Sequence, residues 1–194
     1  MRVRVFAGSV LEAPAEVIVN AANTELRHAG GVAAAIAAAA GPELERESRT
    51  VGFCPLGEAV ATTAGRLPYR CVLHVPTIDY RAGGRRATSE EVRAGVAAAV
   101  RLARARGCRS LALPILGAGV VGMSPAEACR RIAAGLEAAG QGPETVLICA
   151  FTSTERRVAV EVFGGLPGEI GRRAPTGEPS SADRFSPCDR ALAP

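Results

Sequence analysis

Short apolar segments typical of β-strands alternate with longer segments typical of α-helices, and this alternation constrains the fold more than any other feature of the chain. Residues 2–6 alternate between charged and apolar side chains. Residues 16–19 are apolar after the first position, which predicts a strand buried on both faces. Further strands are predicted at residues 57–62, 70–75, 110–113 and 145–150. The pattern favours an α/β fold with helices on both faces of a mainly parallel sheet.

Caps and glycine stops predict three helices. An alanine-rich run, residues 32–40, follows Gly30 and Gly31 and ends at Gly41-Pro42. The other two helices are predicted from an N-cap at Ser89 to Arg106, and from Ser124-Pro125 to Gly140. Ligands of parallel sheets bind beyond the carboxyl ends of the strands, so a site is expected in the loops that follow them.

Length and composition predict one folded domain and a tail. The chain has 194 residues, of which 48% are hydrophobic and 22% charged, and a single core usually takes roughly 100–200 residues. We assign residues 1–164 to the domain and 165–194, which contain Pro, Gly, Ser and Arg without periodicity, to a flexible C-terminal tail. The longest nearly apolar run is too short to cross a bilayer and no signal peptide is recognisable, so we expect a cytoplasmic protein without membrane contact.

The charged residues and cysteines exclude several kinds of chemistry. All 23 basic residues are arginine, which rules out a Schiff-base lysine and a P-loop lysine. The net charge of +4 suits anionic ligands, but the absence of a dense basic run argues against a dedicated nucleic-acid partner. The six cysteines form no C-x-x-C pair, so we expect buried thiols, no metal site and no cofactor.

Two glycine-rich segments are candidate phosphate-binding loops. Residues 117–122 match G-x-G-x-x-G, but only 72 residues follow Gly122, too few to complete a Rossmann domain. Glycines still let backbone amides converge on a phosphate, although such a loop alone fits a simple tight turn equally well. Gly30-Gly31 form a second segment of this kind at a helix N-terminus, and we expect the two loops to lie at the same sheet edge and hold a diphosphate together. Asn20 and Asn23 lie between the preceding strand and this helix. We interpret Asn20 as a structural turn residue and Asn23 as facing the ligand, because a side-chain amide can both donate to and accept from ribose hydroxyls.

Five motifs in order resemble those of the macrodomain family. They are Ile18 to Asn23, Gly30-Gly31-Val32, Pro55 to Val60, Leu67-Pro68 with His74, and Leu113 to Gly122. The resemblance covers about residues 2–163. It implies a three-layer α/β/α sandwich with a mixed, mainly parallel six-stranded sheet that binds ADP-ribose.

The resemblance also implies a set of site residues. Ser9 takes the place of an aspartate that accepts a hydrogen bond from adenine, and Phe151 falls where some members stack an aromatic ring on adenine, the alternative being a core phenylalanine. Asn23 matches the residue that holds the distal ribose. The remaining ligand-binding candidates are Val10, Asn20, Gly30, Gly31, Val32, Gly117, Ala118, Gly119, Val120 and Val121. Ala33 stands where the hydrolase branch has a catalytic aspartate.

Two functions follow as hypotheses. The first is a hydrolase that removes ADP-ribose from mono-ADP-ribosylated acidic side chains or deacetylates O-acetyl-ADP-ribose, with Asn23, Gly30 and Gly31 positioning ribose and water. The second is a non-catalytic module that recognises ADP-ribose, its derivatives and mono-ADP-ribosylated proteins. Ala33 favours the second, whereas a nearly solitary domain favours the first. Removal of ADP-ribose from nucleic-acid ends is a third reading, which only the arginine excess supports.

Overall fold

A mixed β-sheet lies between two layers of helices in the computed structural model, which describes residues 1–164. The tail predicted at residues 165–194 lies outside the described residues. The strands are β1 (Arg2–Ala7), β2 (Val17–Asn23), β3 (Val60–Thr62), β4 (Cys71–Asp79), β5 (Arg85–Arg86), β6 (Ser110–Pro114) and β7 (Thr145–Ala150). The α-helices are α1 (Gly31–Ala40), α2 (Pro42–Val51), α3 (Ser89–Ala105), α4 (Pro125–Ala139) and α5 (Ser153–Phe163).

The sheet order is β1-β7-β6-β2-β4-β3, with β5 paired to β4. All neighbours are parallel except β3 and β5, which run antiparallel to β4. The predicted mainly parallel α/β/α sandwich is therefore confirmed. The sheet has seven strands instead of the six predicted, and the additional strand is β5. It was missed because its two residues are both arginine and form no apolar pattern.

Side chains on successive strand residues point to opposite faces of the sheet, and each face has its own core. Val17 and Val19 of β2 pack in the cluster that includes α3, α4 and α5. Ile18, between them, packs with α1 and α2. Because both faces are covered, the continuous apolar run in β2 is explained.

The sequence-based helix boundaries need three corrections. Gly41 (φ +82°) ends α1 as predicted, but Pro42 also begins α2, which was not predicted, in the first helical position, where a missing N–H does no harm. The N-cap of α3 is Thr88, because Thr88 and Glu91 form a reciprocal capping box. The helix α5 was not predicted. It begins after Thr152, which forms the same kind of box with Glu155.

The strand boundaries also shift. β4 was predicted to end at Val75 but continues through Pro76 to Asp79, and β3 begins at Val60, three residues later than predicted. Within residues 1–164, none of the helices is long and apolar enough to cross a membrane.

Candidate functional site

A cavity of about 380 Å³ lies beyond the carboxyl ends of β2, β6 and β7. Both glycine segments line it, together with side chains from the ends of these strands. Its lining includes Asn23, Gly30, Gly31, Val32, Ala33, Gly117, Gly119, Val120, Val121 and Phe151. The parallel strands bring these segments to one edge of the sheet although about 90 residues separate them along the chain.

A second cavity of about 290 Å³ adjoins the first and is lined by Gly8, Ser9, Val10 and Leu11. The two cavities share lining residues, including Val32, Cys149 and Phe151. Together they form one elongated cleft, hereafter the cleft. The residues predicted to meet adenine lie at the end formed by the smaller cavity.

The N-terminus of α1 faces the cleft without a side-chain cap. Gly30 is the N-cap residue in extended backbone, and Gly31 follows with φ +56°, a conformation that favours glycine. A Cβ atom built on either glycine meets no atom within 4 Å. The first amides of a helix have no partner inside the helix, so this terminus offers N–H donors and a positive dipole end to an anion.

The loop between β6 and α4 presents a second set of amides. It is closed by the Gly122 amide donating to the Gly119 carbonyl (3.0 Å) and by the Met123 amide donating to the Gly117 carbonyl (3.1 Å). Within residues 1–164, the amides of Gly119, Val120 and Val121 have no hydrogen-bond acceptor. The loop therefore keeps its shape through its own bonds while leaving three donors for an anion.

Gly117 and Gly119 in this loop differ in whether a side chain could be accommodated. Gly117 has φ +98°, and a Cβ there would lie 2.9 Å from the Met123 sulfur, so this position requires glycine. Gly119 has no positive φ and open space beside it, so a side chain can be added there without strain. Ala118, also predicted to bind ligand, packs against the core and is absent from the cavity lining.

Asn23 lines the cleft and also shapes it. Its Nδ2 donates to the Arg27 carbonyl (2.6 Å), and its Oδ1 accepts from the Arg27 amide (2.9 Å). The side chain is 7% exposed. One N–H and one lone pair of the amide are not used by Arg27 and remain for a sugar hydroxyl.

Asn20 lies inside β2 and not in the predicted turn, because the strand continues to Asn23. It is fully buried and outside the cleft, in keeping with a structural role and against the expected ligand contact. Its Nδ2 lies 3.0 Å from His74 Nδ1 and 3.4 Å from His28 Nδ1. An amide nitrogen only donates, so both imidazoles accept at Nδ1 and carry their proton at Nε2. His74 Nε2 then donates to Thr62 Oγ1 (2.8 Å), and His28 Nε2 to Ser48 Oγ (2.9 Å). This histidine network ties the segment before α1 to α2 and the sheet.

The histidine network holds both imidazoles neutral. Burial lowers the pKa of His74 from 6.5 to about 3, with a smaller contribution from neighbouring His28. Burial also lowers the pKa of His28, opposed by the charge of Glu45. The two rings stack with centroids 5.2 Å apart.

At the adenine end, Ser9 and Phe151 have different surroundings. Ser9 Oγ accepts from the Leu11 amide (3.2 Å) as the cap of a short 3-10 turn, so its second lone pair stays available to accept from adenine. Phe151 is 79% exposed, which excludes the core alternative and leaves a ring face accessible from the cleft.

Several lining residues were missed from the sequence, among them Arg27, Thr77, Tyr80 and Glu155. Glu155 Oε2 accepts from the amides of Phe151 and Thr152, both at 2.9 Å. The pattern Thr152-x-x-Glu155 was the available signal, because Thr-x-x-Glu is a capping-box motif. Among the described lining residues of the 380 Å³ cavity, Glu155 is the only acid.

The cleft offers no activated thiol or acid at the expected position. Ala33 lines the cavity and supplies no carboxylate. Cys149 also lines it, but burial raises the pKa of its thiol to about 12, so the thiol stays protonated at neutral pH. The five cysteines of residues 1–164 are buried, as predicted; Cys188 lies outside the described residues.

The fold and cleft define an α/β/α protein with backbone amides lining a cleft at the carboxyl ends of its parallel strands. The chain belongs to the Macro domain family, whose model matches residues 19–132. It is 52% identical over 115 residues to an uncharacterized protein of Mycobacterium tuberculosis, covering 59% of this chain and 31% of that protein. The chain thus spans about a third of the length of the mycobacterial relatives it matches.

Two further comparisons concern named activities and ligands. The chain is 39% identical over 131 residues to the O-acetyl-ADP-ribose deacetylase of Escherichia fergusonii, covering 66% of this chain and 73% of that protein. The structure resembles the Trypanosoma brucei macrodomain in complex with ADP-ribose, with a TM-score of 0.72 and 28% identity over 82% of this chain and 68% of that chain.

Proposed function

We propose that this protein binds ADP-ribose in the cleft. The observation that carries the proposal is that two sets of unpaired backbone amides, at the start of α1 and at residues 119–121, line one cavity. Such donors suit the two phosphates of a diphosphate. The smaller cavity takes adenine against Phe151, with Ser9 Oγ near the base. Asn23, at the other side of the diphosphate, receives the distal ribose.

Support comes from the comparisons as well as the geometry. The Trypanosoma brucei macrodomain that this structure resembles was determined in complex with ADP-ribose. The neutral Asn23 amide and the backbone of Gly30 and Gly31 match the needs of a sugar with several hydroxyls, because each hydroxyl both donates and accepts. The cleft is thus suited to a nucleoside diphosphate that carries a second sugar.

We further propose that the bound ADP-ribose is released hydrolytically from an ester. Water replaces the carboxylate of an Asp or Glu side chain at C1″, or attacks the acetyl carbonyl of O-acetyl-ADP-ribose. In the second case the bond between the acyl carbon and the ribose oxygen breaks, the ribose oxygen takes up a proton, and acetate and ADP-ribose are the products. Asn23, Gly30 and Gly31 orient the sugar and the water, and the helix N-terminus stabilises the negative charge that develops. The Escherichia fergusonii relative named as a deacetylase supports this reaction class.

A binding module without turnover is the second candidate, and Ala33 favours it. A positioned general base typically contributes about 10²–10⁴-fold in rate. No acid stands at Ala33, and Glu155 is engaged by the amides of Phe151 and Thr152, which precede α5. The two candidates share the same binding site and differ only in turnover.

Binding is tested by placing a charge in the phosphate cradle. Gly119→Glu adds a carboxylate in open space, and Gly119→Gln adds the same bulk without charge. We expect Glu to weaken ADP-ribose affinity by at least about tenfold, and Gln by less, because the added charge repels the diphosphate. Isothermal titration calorimetry measures both. Equal affinity of wild type and a folded Gly119→Glu variant would show that the diphosphate lies elsewhere.

Turnover is tested with two substrates. The protein is incubated with a glutamate-linked mono-ADP-ribosylated protein and with O-acetyl-ADP-ribose, and release is followed by mass spectrometry. Release of ADP-ribose or acetate supports the hydrolase. Retained ADP-ribose affinity without release of either product assigns the protein to the binding modules.

A further inference from the structure

A third cavity, of about 580 Å³, adjoins the cleft at the end where Asn23 lies. It is formed between the segment that precedes α1 and the outer side of α2. Its lining comprises Glu25, Leu26, Arg27, His28, Ala29, Glu45, Arg49 and Gly52. Arg27 and Ala29 line both this cavity and the cleft. The two spaces therefore meet along the segment 27–29.

The segment around Arg27, which borders both the cleft and the outer cavity, is held in one conformation. Leu26 has φ +54°, an unusual value for a residue with a side chain, and is only 3% exposed. The Leu26 amide donates to the Asn23 carbonyl (3.1 Å), and the Asn23 side chain brackets the Arg27 backbone. His28 is anchored to Ser48 on α2. The outer cavity is thus preformed rather than a gap beside a loose loop.

The charges in the outer cavity alternate in sign. Arg27 Nη2 lies 3.6 Å from Glu25 Oε1. Arg49 Nη2 lies 3.4 Å from Glu45 Oε2. Two cations and two carboxylates give the described lining no net charge, with both histidine nitrogens already bonded. A phosphodiester chain binds surfaces with a clear excess of positive charge. A polypeptide presents amide donors, carbonyl acceptors and side chains of either sign, which matches a mixed lining.

We propose that the outer cavity receives the polypeptide segment to which ADP-ribose is attached. The inference rests on the proposed function, which puts the distal ribose beside Asn23. An acceptor joined to C1″ of that ribose leaves the cleft past Arg27 and Ala29 and enters the outer cavity. Arg49, on α2, is the more exposed member of its pair with Glu45 (80% against 48%), so the cation rather than the carboxylate contacts the side chains that flank the modified residue and favours acidic ones.

The test compares free ADP-ribose with a peptide conjugate. The conjugate is a short peptide with acidic flanks, joined to ADP-ribose through an amide that resists hydrolysis, so that binding is measured whether or not the protein is an enzyme. The variants are Arg49→Glu and a matched control, Arg46→Glu, on the same helix. Both arginines are exposed, and Arg46 lies outside the cavity lining.

We expect the wild type to bind the conjugate more tightly than free ADP-ribose. Arg49→Glu should weaken binding of the acidic conjugate by about fivefold, as expected for reversal of one exposed charge, and leave the affinity for free ADP-ribose unchanged. Arg46→Glu should change neither. With basic flanks on the peptide, Arg49→Glu should strengthen binding instead.

Two results would overturn the inference. Equal affinity of the wild type for conjugate and free ADP-ribose would show that the acceptor makes no contact, and equal effects of the two variants would show that only net charge matters. Failure of the wild type to bind free ADP-ribose would refute the proposed function, and the inference with it. The control measurement on free ADP-ribose keeps these failures distinguishable.

Discussion

Acidification from pH 7 to pH 5 should lower the free energy of unfolding by about 2 kcal/mol through His74 alone. His74 is fully buried, donates to Thr62 and accepts from Asn20, so it cannot take up a second proton without losing the Asn20 hydrogen bond. Its pKa in the folded protein is lowered to about 3. In the unfolded chain the imidazole titrates with its ordinary pKa of 6.5.

The sign follows from proton binding. Between about pH 3 and pH 6.5 the unfolded chain binds a proton at His74 that the folded protein does not, so acid favours unfolding. The full contribution of neutral His74 is present above the unfolded pKa and is lost progressively as the pH falls toward the folded one. His28, whose pKa is also lowered, acts in the same direction.

The assay is urea-induced unfolding at pH 7 and pH 5, for the wild type and for His74→Gln. Glutamine keeps one donor and one acceptor for Thr62 and Asn20 but does not titrate. The loss on acidification should be about 2 kcal/mol smaller in the variant, while the other titrating groups contribute equally to both proteins. The same pH dependence in both proteins would refute the reasoning. So would an NMR titration of the wild type in which His74 protonates between pH 7 and pH 5.

Three other substitutions test separate parts of the structure. Gly135→Ala, in α4, puts a methyl group 2.7 Å from the Arg93 carbonyl oxygen of α3. Urea unfolding should show that the free energy of unfolding falls by about 1–3 kcal/mol. An unchanged free energy would show that α3 and α4 are not closely packed at this position. Phe151→Ala should leave stability within about 0.5 kcal/mol but weaken ADP-ribose binding about tenfold in calorimetry, and an unaltered affinity would contradict stacking on adenine. Ser9→Asp keeps the N-cap and supplies a charged hydrogen-bond acceptor, so the affinity for ADP-ribose should rise several-fold. The affinity for the inosine analogue, which lacks the amino group, should not rise. Equal gains for both ligands would exclude a hydrogen bond between residue 9 and the adenine amino group.

The sequence predicted the layered fold correctly because strand and helix patterns depend on residues close together in the chain, and most of the candidate site residues line the cleft. A continuous apolar run identified β2 as a strand with two buried faces. The need for glycine at Gly117 and at Gly31 comes from the local backbone, where φ is positive. The preference of Pro42 for the first position of a helix is equally local. Gly41-Pro42 also marks the end of a helix, however, and the sequence analysis predicted only that end and not the start of α2.

The roles of the two asparagines show the limit of such reasoning. Asn20 and Asn23 belong to the same strand and carry the same side chain. The register of β2 against β4 sets Asn20 opposite His74, and this pairing buries Asn20 in the histidine network. Asn23 lies at the end of the strand, where the chain turns toward α1 and the amide reaches both Arg27 and the cleft.

The amino-acid sequence by itself determined the alternation of strands and helices, the glycine positions that expose backbone amides, and the caps that begin the helices. Propensity, backbone conformation and capping each involve only a few neighbouring residues, so they can be deduced from the sequence. Only the tertiary structure decided that Asn20 is buried beside His74, that α2 closes an outer cavity between Arg27 and Arg49, and that Phe151 stays exposed. Those contacts join residues distant in the chain, and they depend on strand register and helix packing, which no local pattern specifies.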